Sequence, residues 1–277
     1  MHKILVYSRH PSHKILRKNL PSLSVRSLVR LGSTTVPIRK LNHIEINSVN
    51  SIQISANKKL MKEKFNLAKC NTAPWIAVNN LNELNNAIGN ETIRFPIVAK
   101  HIFGSRGTGN ALIRNIDELN SWVKNRNFEN YIFENYINYA LEYRLHVTAG
   151  GCFYACRKAL IRGTEKTQRW RRHKDNCVWL LETNEGFNEP NSWKDIIQNC
   201  IKALKEIGAD ILSFDVRVQN RLDQDGNERE YQDFILIECN SASSMQSPSN
   251  KEVSVCASKY LEIIPHLIMV KYEKLYD

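Results

Sequence analysis

Two short apolar runs near the C-terminal end, each interrupted by an acid, constrain this chain most: "ILSFDVRV" at 211–218 and "FILIECNSAS" at 234–243. An antiparallel pairing that sets Asp215 opposite Glu238 centres its turn between Gly226 and Asn227, inside "DQDGNE", where Asp-Gly and Asn favour turns. Side-chain alternation then places Asp215 and Arg217 on one face of the first strand, Glu238 and Asn240 on the same face of the second, and Cys239 on the other face. Two carboxylates opposed across a ladder repel unless something cationic lies between them. A divalent ion supplies that charge, and an all-oxygen set of Asp, Glu and Asn suits magnesium. A surface hairpin with solvated acids accounts for the same pattern at this stage.

Residues 91–114 read "ETIRFPIVAKHIFGSRGTGNALIR": an apolar run ending in Lys100, then Gly104, Gly107 and Gly109, then a second apolar run. A glycine-rich turn between strands lays backbone N–H groups against phosphate oxygens because no Cβ intervenes. A plain flexible hairpin has the same composition. No helix-opening "GK[ST]" follows, and the strand-turn-helix context of a dinucleotide fold is missing. Further on, "NYIFENYINYALEYRLHV" at 130–147 gives a strand carrying Glu134, then a strand where Glu142, Arg144 and His146 alternate against Tyr143, Leu145 and Val147. Three polar residues on one face suggest a strand lining a cleft, although ordinary half-solvated alternation looks alike.

In their order along residues 57–245, these segments resemble the ATP-grasp family: "NKKLMKEKF" at 57–65, "PW" at 74–75, "FPIVAK" at 95–100, the glycine loop, "YIFENYI" at 131–137, "EYRLHV" at 142–147, "FDVRV" at 214–218 and "IECNSASSM" at 237–245. The resemblance implies an α+β ATP-grasp fold, with two antiparallel sheets flanking ATP and a short α/β N-terminal domain. It implies that Lys58, or its neighbour Lys59, is the first ATP lysine, and that Lys100 contacts the phosphates and the adenine side. Ser105, Arg106, Gly107, Thr108 and Gly109 match the lid over the phosphates. Glu134 and the backbone of Asn135, Tyr136 and Ile137 fall where the adenine amino group is read, and Glu142 matches the ribose-binding acid. Asp215, Glu238 and Asn240 match the magnesium ligands, the set the hairpin register suggests on its own; two ions are implied.

The chemistry implied is transfer of the terminal phosphoryl of ATP to a carboxylate, followed by attack of an amine on the acyl phosphate. Such transfer needs positioning and charge neutralisation rather than a protein nucleophile, and Arg144 and Arg217 are the candidate catalytic cations. Ser244 follows the metal-binding strand where several members hold substrate. The segment 155–175, "ACRKALIRGTEKTQRWRRHKD", carries Arg157, Lys158, Arg171, Arg172 and His173, in the place where ribosomal-protein glutamate ligases meet phosphates and acidic substrate; a solvated basic loop is the alternative. Arg171, His173 and Ser244 are therefore candidate substrate residues. Two departures bear on substrate identity. Ser213 stands where D-alanine ligases carry an arginine, and "NSASS" lacks the Pro-Gly of the usual ending. The short N-terminal part resembles compact ATP-grasp proteins of bacteriophages and some bacilli.

With 277 residues the chain can bury a substantial core. The opening "MHKILVYSRH" reads as a strand rather than a signal peptide, and no run is long enough to span a membrane. Seven scattered cysteines point to reduced thiols and a cytoplasmic setting, without zinc-like spacing. Residues 1–75 hold 14 Lys and Arg against two acids, whereas the remainder holds 25 against 26. That field would concentrate an anionic partner: nucleic acid, an acidic peptide or a phosphorylated small molecule. Helical spacing in "HPSHKILRKNL" and "SVRSLVRL" predicts helices over 12–19 and 22–30 with a basic outer face. Further helices are predicted over 57–69, 81–89, 116–125, 190–207 and 251–261, with 163–189 irregular.

The expected division is 1–74 as a basic N-terminal domain, 75–140 as the lid subdomain and 141–277 as the subdomain with the metal site. The leading functional reading is an ATP- and magnesium-dependent carboxylate-amine ligase acting on a small acid, an amino acid or a peptide. A kinase that stops at phosphoryl transfer, and a nucleotide-gated nucleic-acid-binding protein without turnover, are the alternatives.

Overall fold

In a computed structural model of the protein the described residues are 1–36, 43–104, 107–124, 126–172, 175–245 and 254–276. The N-terminal part runs β1 (His2–Lys3), β2 (Leu5–Ser8), α1 (Lys14–Asn19), β3 (Ser22–Leu23), β4 (Ser27–Leu31), β5 (Ile44–Ile46), α2 (Val49–Ala56) and α3 (Lys58–Leu67). Strands β2, β4 and β5 form a parallel sheet with β4 in the middle, and β1 pairs with β3. Next come β6 (Trp75–Ile76), α4 (Leu81–Gly89), β7 (Ile97–His101), β8 (Ala111–Ile113), α5 (Ile116–Trp122) and β9 (Tyr131–Asn135), whose strands make an antiparallel sheet in the order β6-β9-β7-β8. The last part comprises β10 (Leu141–Thr148), β11 (Gly151–Leu160), β12 (Cys177–Leu181), α6 (Trp193–Ile207), β13 (Ile211–Val218), β14 (Phe234–Asn240) and α7 (Val255–Tyr276). Its antiparallel sheet has the order β12-β11-β10-β13-β14. The architecture is α+β, with two antiparallel sheets and a small parallel α/β portion at the N-terminus.

Each sheet has its own core. On the five-stranded sheet, Tyr143, Leu145 and Val147 of β10 and Phe214, Val216 and Val218 of β13 share one face. They pack on α6, whose buried Ile196, Cys200, Ala203, Leu204 and Ile207 recur at helical spacing. Gly208 ends that helix in the left-handed conformation at φ 70. Met61 and Phe65 of α3 join the same core. Ile264 and Ile268 of α7 pack with Ile4, Leu16, Val29 and Ile46 under the parallel sheet.

Several elements differ from the sequence expectation. The helix predicted over 22–30 is instead β3 and β4, because "SLVRL" is the middle strand of a parallel sheet and is buried throughout. Arg30 thus offers no basic outer face. It is 1% exposed, lies 2.8 Å from a Glu45 carboxylate oxygen, and donates to the Thr35 and Asn47 carbonyls at 3.4 Å. Helix α2 was not anticipated; the Ser48 side chain caps it by accepting from the Ser51 N–H. The stretch 163–189 contains β12. Helix α7 continues past Pro265 to Tyr276 rather than ending near 261. No described helix is long and apolar enough to cross a membrane.

Candidate active site

The β10 ladder arranges charge by register. Glu142 lies opposite Arg217 and Arg144 opposite Asp215 on β13, while on β11 Arg144 lies opposite Cys156, so that Lys158 comes beside Glu142. Side chains at these positions share the sheet face turned away from α6. Arg144 grips Asp215 through two bonds, Nε–H to Oδ1 at 2.7 Å and Nη2–H to Oδ2 at 2.8 Å. Lys158 Nζ donates to both Asp215 Oδ2 and Glu142 Oε1 at 2.8 Å. Arg217 Nε approaches Glu142 Oε2 at 3.2 Å, and Arg172 from the β11–β12 connection reaches the same oxygen at 3.4 Å. Trp179 of β12 covers the cations, 5.1 Å from Arg144 and 5.4 Å from Lys158. Burial by itself raises the Glu142 carboxyl, but Lys158 and Arg217 outweigh it and hold it at about 2. The same competition, settled by Arg144 and Lys158, holds Asp215 well below the ordinary carboxylate range.

A second ionic cluster faces the first. Asn57 caps α3 by accepting from the Lys59 and Leu60 N–H groups, which fixes Lys58 at the first helical position and Lys62 one turn later on the same side. Lys62 Nζ lies 3.1 Å from Glu134 Oε2 on β9, and Lys100 on β7 pairs with Glu134 Oε1. Burial raises the Glu134 carboxyl, but Lys100 and Lys62 overcome it and keep it below its ordinary value. Lys58 is buried and donates to the Gly104 carbonyl, whereas Lys59 is exposed; of the two lysines, Lys58 is the one directed at the site. Burial lowers the Lys58 ammonium, and Glu238 opposes that shift.

Between the clusters lies a cavity of about 110 Å³. Lys100, Gly107, Glu134, Asn135, Tyr136 and Ile137 line one side; Glu142, Asp215, Arg217 and Glu238 line the other, and Arg171 also borders it. A larger depression of about 360 Å³ beside residues 138–140 and the β13–β14 connection holds far less charge, so the chemistry belongs to the smaller one. The connection between β7 and β8 is the glycine loop. Gly107 and Gly109 have φ of 74 and 78, and Gly104 sits so close to the Thr108 carbonyl that a Cβ would lie 2.5 Å from it. Thr108 and Gly109 are exposed; Ser105, Arg106 and His173 lie outside the described residues.

Asp215 and Glu238 are directly opposite across β13 and β14, as the turn predicts. One residue further the register shifts: Val216 faces Leu236, so Ile237 is the extra residue of a bulge, and Ile237 and Glu238 both reach the cavity. Cys239 is buried in the core on the opposite face. Asn240 lies opposite Ser213, and its Nδ2 is buried with no hydrogen-bond partner among the described residues. Ser244 is exposed and is not part of the cavity wall; its neighbour Ser243 is buried, bonded to Ser213 and accepting from His13 Nε2 at 2.7 Å. His146 is not in the cleft: α7 covers it, its Nδ1 pairs with the Tyr260 hydroxyl at 2.9 Å, and burial lowers it to about 3.

Among the described residues no group of three or more His, Cys, Asp or Glu gathers as a metal site. The donor chemistry nevertheless suits magnesium in part. Glu238 lines the cavity and enters none of the ion pairs above, so its carboxylate is an available oxygen donor; the unpartnered Asn240 atom is Nδ2, a hydrogen-bond donor, and only Oδ1 of that amide could ligate a cation. Asp215 has both oxygens taken by Arg144 and Lys158, so the protein's own cations supply charge that the sequence reading assigned to an ion.

Sequence reasoning missed Lys62, Trp179 and the central place of Lys158. Lys62 was visible as the residue four after Lys58 on a capped helix, and Lys158 as the partner of Glu142 if the β10–β11 turn is centred on Gly150. Trp179 required β12.

No protein-family model matches the chain, and no curated protein matches it in sequence. Solved structures do. A D-alanine–D-alanine ligase from Bacillus anthracis complexed with ATP aligns over 99% of this chain and 99% of that chain, with 15% identity and a TM-score of 0.63. An N5-carboxyaminoimidazole synthetase from Staphylococcus aureus complexed with ADP aligns over 79% of this chain at 17% identity and a TM-score of 0.54; the match spans about half of its own length, 55%. The ATP-grasp ligase PsnB complexed with a minimal precursor aligns over 80% of this chain and 64% of that one, at 12% identity and a TM-score of 0.52. Identities this low establish the shared fold, and the activity has to be argued from the residues.

Proposed function

We propose that this chain, which has the ATP-grasp fold, is an ATP- and magnesium-dependent ligase that joins a carboxylate to an amine through an acyl phosphate, releasing ADP and phosphate. The observation that carries the reading is the cavity between the two antiparallel sheets, walled by Lys100 and Glu134 on one side and Glu142, Asp215, Arg217 and Glu238 on the other. Glu134 and the backbone of Asn135, Tyr136 and Ile137 would hold the adenine, Glu142 the ribose, and Lys58, Lys100 and the glycine loop the phosphates. Asp215, Glu238 and Asn240 would hold magnesium, which when bound neutralises phosphate charge. Arg144 and Arg217 would stabilise the transferring group; Arg144 serves it only after leaving Asp215, on which it now lies. The subdomain boundaries fall at 74/75 and 140/141.

At about 110 Å³ the cavity is smaller than the roughly 300 Å³ and above of small-molecule sites. The glycine loop and the β11–β12 connection meet over it, with Gly107 beside Arg171. Nucleotide entry therefore requires these two segments to part. The substrate class argued for is an amino acid or a peptide, by likeness to a ligase of D-alanine and to a macrocyclase bound with a precursor peptide, with Arg171, His173 and Ser244 the candidate substrate residues.

The test is the fate of ATP with magnesium, a pool of amino acids, peptides and small acids, and hydroxylamine as trap. ADP, phosphate and a hydroxamate of defined mass support the ligase. ADP with a stable phosphorylated product and no hydroxamate indicates a kinase, and ATP left intact in every mixture refutes turnover on these substrate classes.

A further inference from the structure

Glu134 is a buried acid approached by lysines from two sides. Lys100 reaches one oxygen and lines the cavity. Lys62 reaches the other at 3.1 Å, is 1% exposed, and stands behind Glu134 rather than on the cavity wall. Its ammonium also donates to the Thr72 hydroxyl and, at 3.4 Å, to the Leu236 carbonyl of β14. Its contact with Glu134 is ionic, since Glu134 Oε2 makes no hydrogen bond among the described residues; together with the two acceptors it ties the ammonium to three separate parts of the chain. Lys58 is turned to the Gly104 carbonyl and does not compete for Glu134.

We infer that Lys62 is a positioning residue for nucleotide binding: by holding the Glu134 charge from behind, it lets Lys100 leave Glu134 for a phosphate oxygen. The inference rests on the nucleotide reading above. A buried carboxylate stripped of its only cation is strongly unfavourable, so a lysine that is the sole partner stays where it is. With Lys62 in place Glu134 remains paired, and Lys100 exchanges one anion for another. Lys62 itself never touches the nucleotide.

The experiment is calorimetric binding of magnesium-ATP and of AMP to the unaltered protein, Lys62→Met, Glu134→Gln and the double variant. The unaltered protein binds ATP more tightly than AMP. In Lys62→Met the ATP-over-AMP ratio falls by about tenfold or more, the scale of a displaced buried charge pair, with AMP affinity retained. The double variant regains the ratio, because a neutral amide does not hold Lys100. An unchanged ratio, or equal losses for ATP and AMP, overturns the inference. If Lys62→Met does not fold, Glu134→Gln and the double variant are compared instead. Equal ratios support the inference, and a drop on removing Lys62 beside a neutral residue 134 overturns it, since Lys62 would then act on the nucleotide directly. Failure of the unaltered protein to bind either nucleotide overturns the nucleotide reading, a result separate from any difference among variants.

Discussion

On the five-stranded sheet the charges occupy fixed ladder positions and several have more than one partner; on the opposite wall a single acid serves two lysines, one from a helix and one from the neighbouring strand of its own sheet. Asp215 is held by Arg144 and Lys158, and Glu142 by Lys158, Arg172 and Arg217. Glu134 has only Lys62 and Lys100, and among the described residues each of those lysines forms its ion pair with Glu134 alone. The difference is one of redundancy. Deleting Asp215 leaves Lys158 with Glu142 and strands one cation, Arg144, whereas deleting Glu134 strands two buried ammonium groups.

Glu134→Ala should cost about 3–5 kcal/mol, as for a broken buried ion pair, and Asp215→Ala clearly less; urea unfolding midpoints compare the two, and the reverse order would refute the redundancy argument. Acid titration separates buried histidines from paired carboxylates. His13 and His146 are lowered by burial to about 4 and about 3, so they are neutral in the folded protein while the unfolded chain takes up protons below about 6.5. Stability should therefore be fully present above pH 6.5 and decline as pH falls toward 4, by roughly 3 kcal/mol per histidine. Glu142, held at about 2, contributes above its ordinary 4.5 and is lost only between 4.5 and 2. Unfolding followed from pH 8 to 2 should show the histidine decline before the carboxylate one, and His146→Gln should flatten the first. The smallest effect is Asn57→Ala, about 1 kcal/mol from loss of the α3 cap, accompanied by weaker ATP binding if the cap serves to aim Lys58 and Lys62.

The same contrast explains what the sequence made legible. Opposition of Asp215 and Glu238 follows from a turn signal and a period of two, and the bulge at Ile237 moves the pairing by only one residue. The glycine loop between strands and the inward Cys239 follow from equally local rules. What was illegible depends on tertiary partners. "SLVRL" is too short for periodicity to separate helix from strand, and it is a strand because the parallel sheet buries both its faces. His146 alternates correctly with Arg144 yet is withdrawn from the cleft because α7 covers that end of the face. Lys62 meets Glu134 across 72 positions of chain, a distance no local pattern reports.

The seam between the N-terminal sheet and the loop after β14 bears on how this protein can be rebuilt. Gly32, at φ 74, lies so close to Ala242 that a Cβ there would come within 2.4 Å of the alanine methyl, and His13 bonds the Ser243 carbonyl beside it. The N-terminal sheet is consequently not an exchangeable cassette. A foreign N-terminal module would have to bring its own glycine and its own buried imidazole to the same two places.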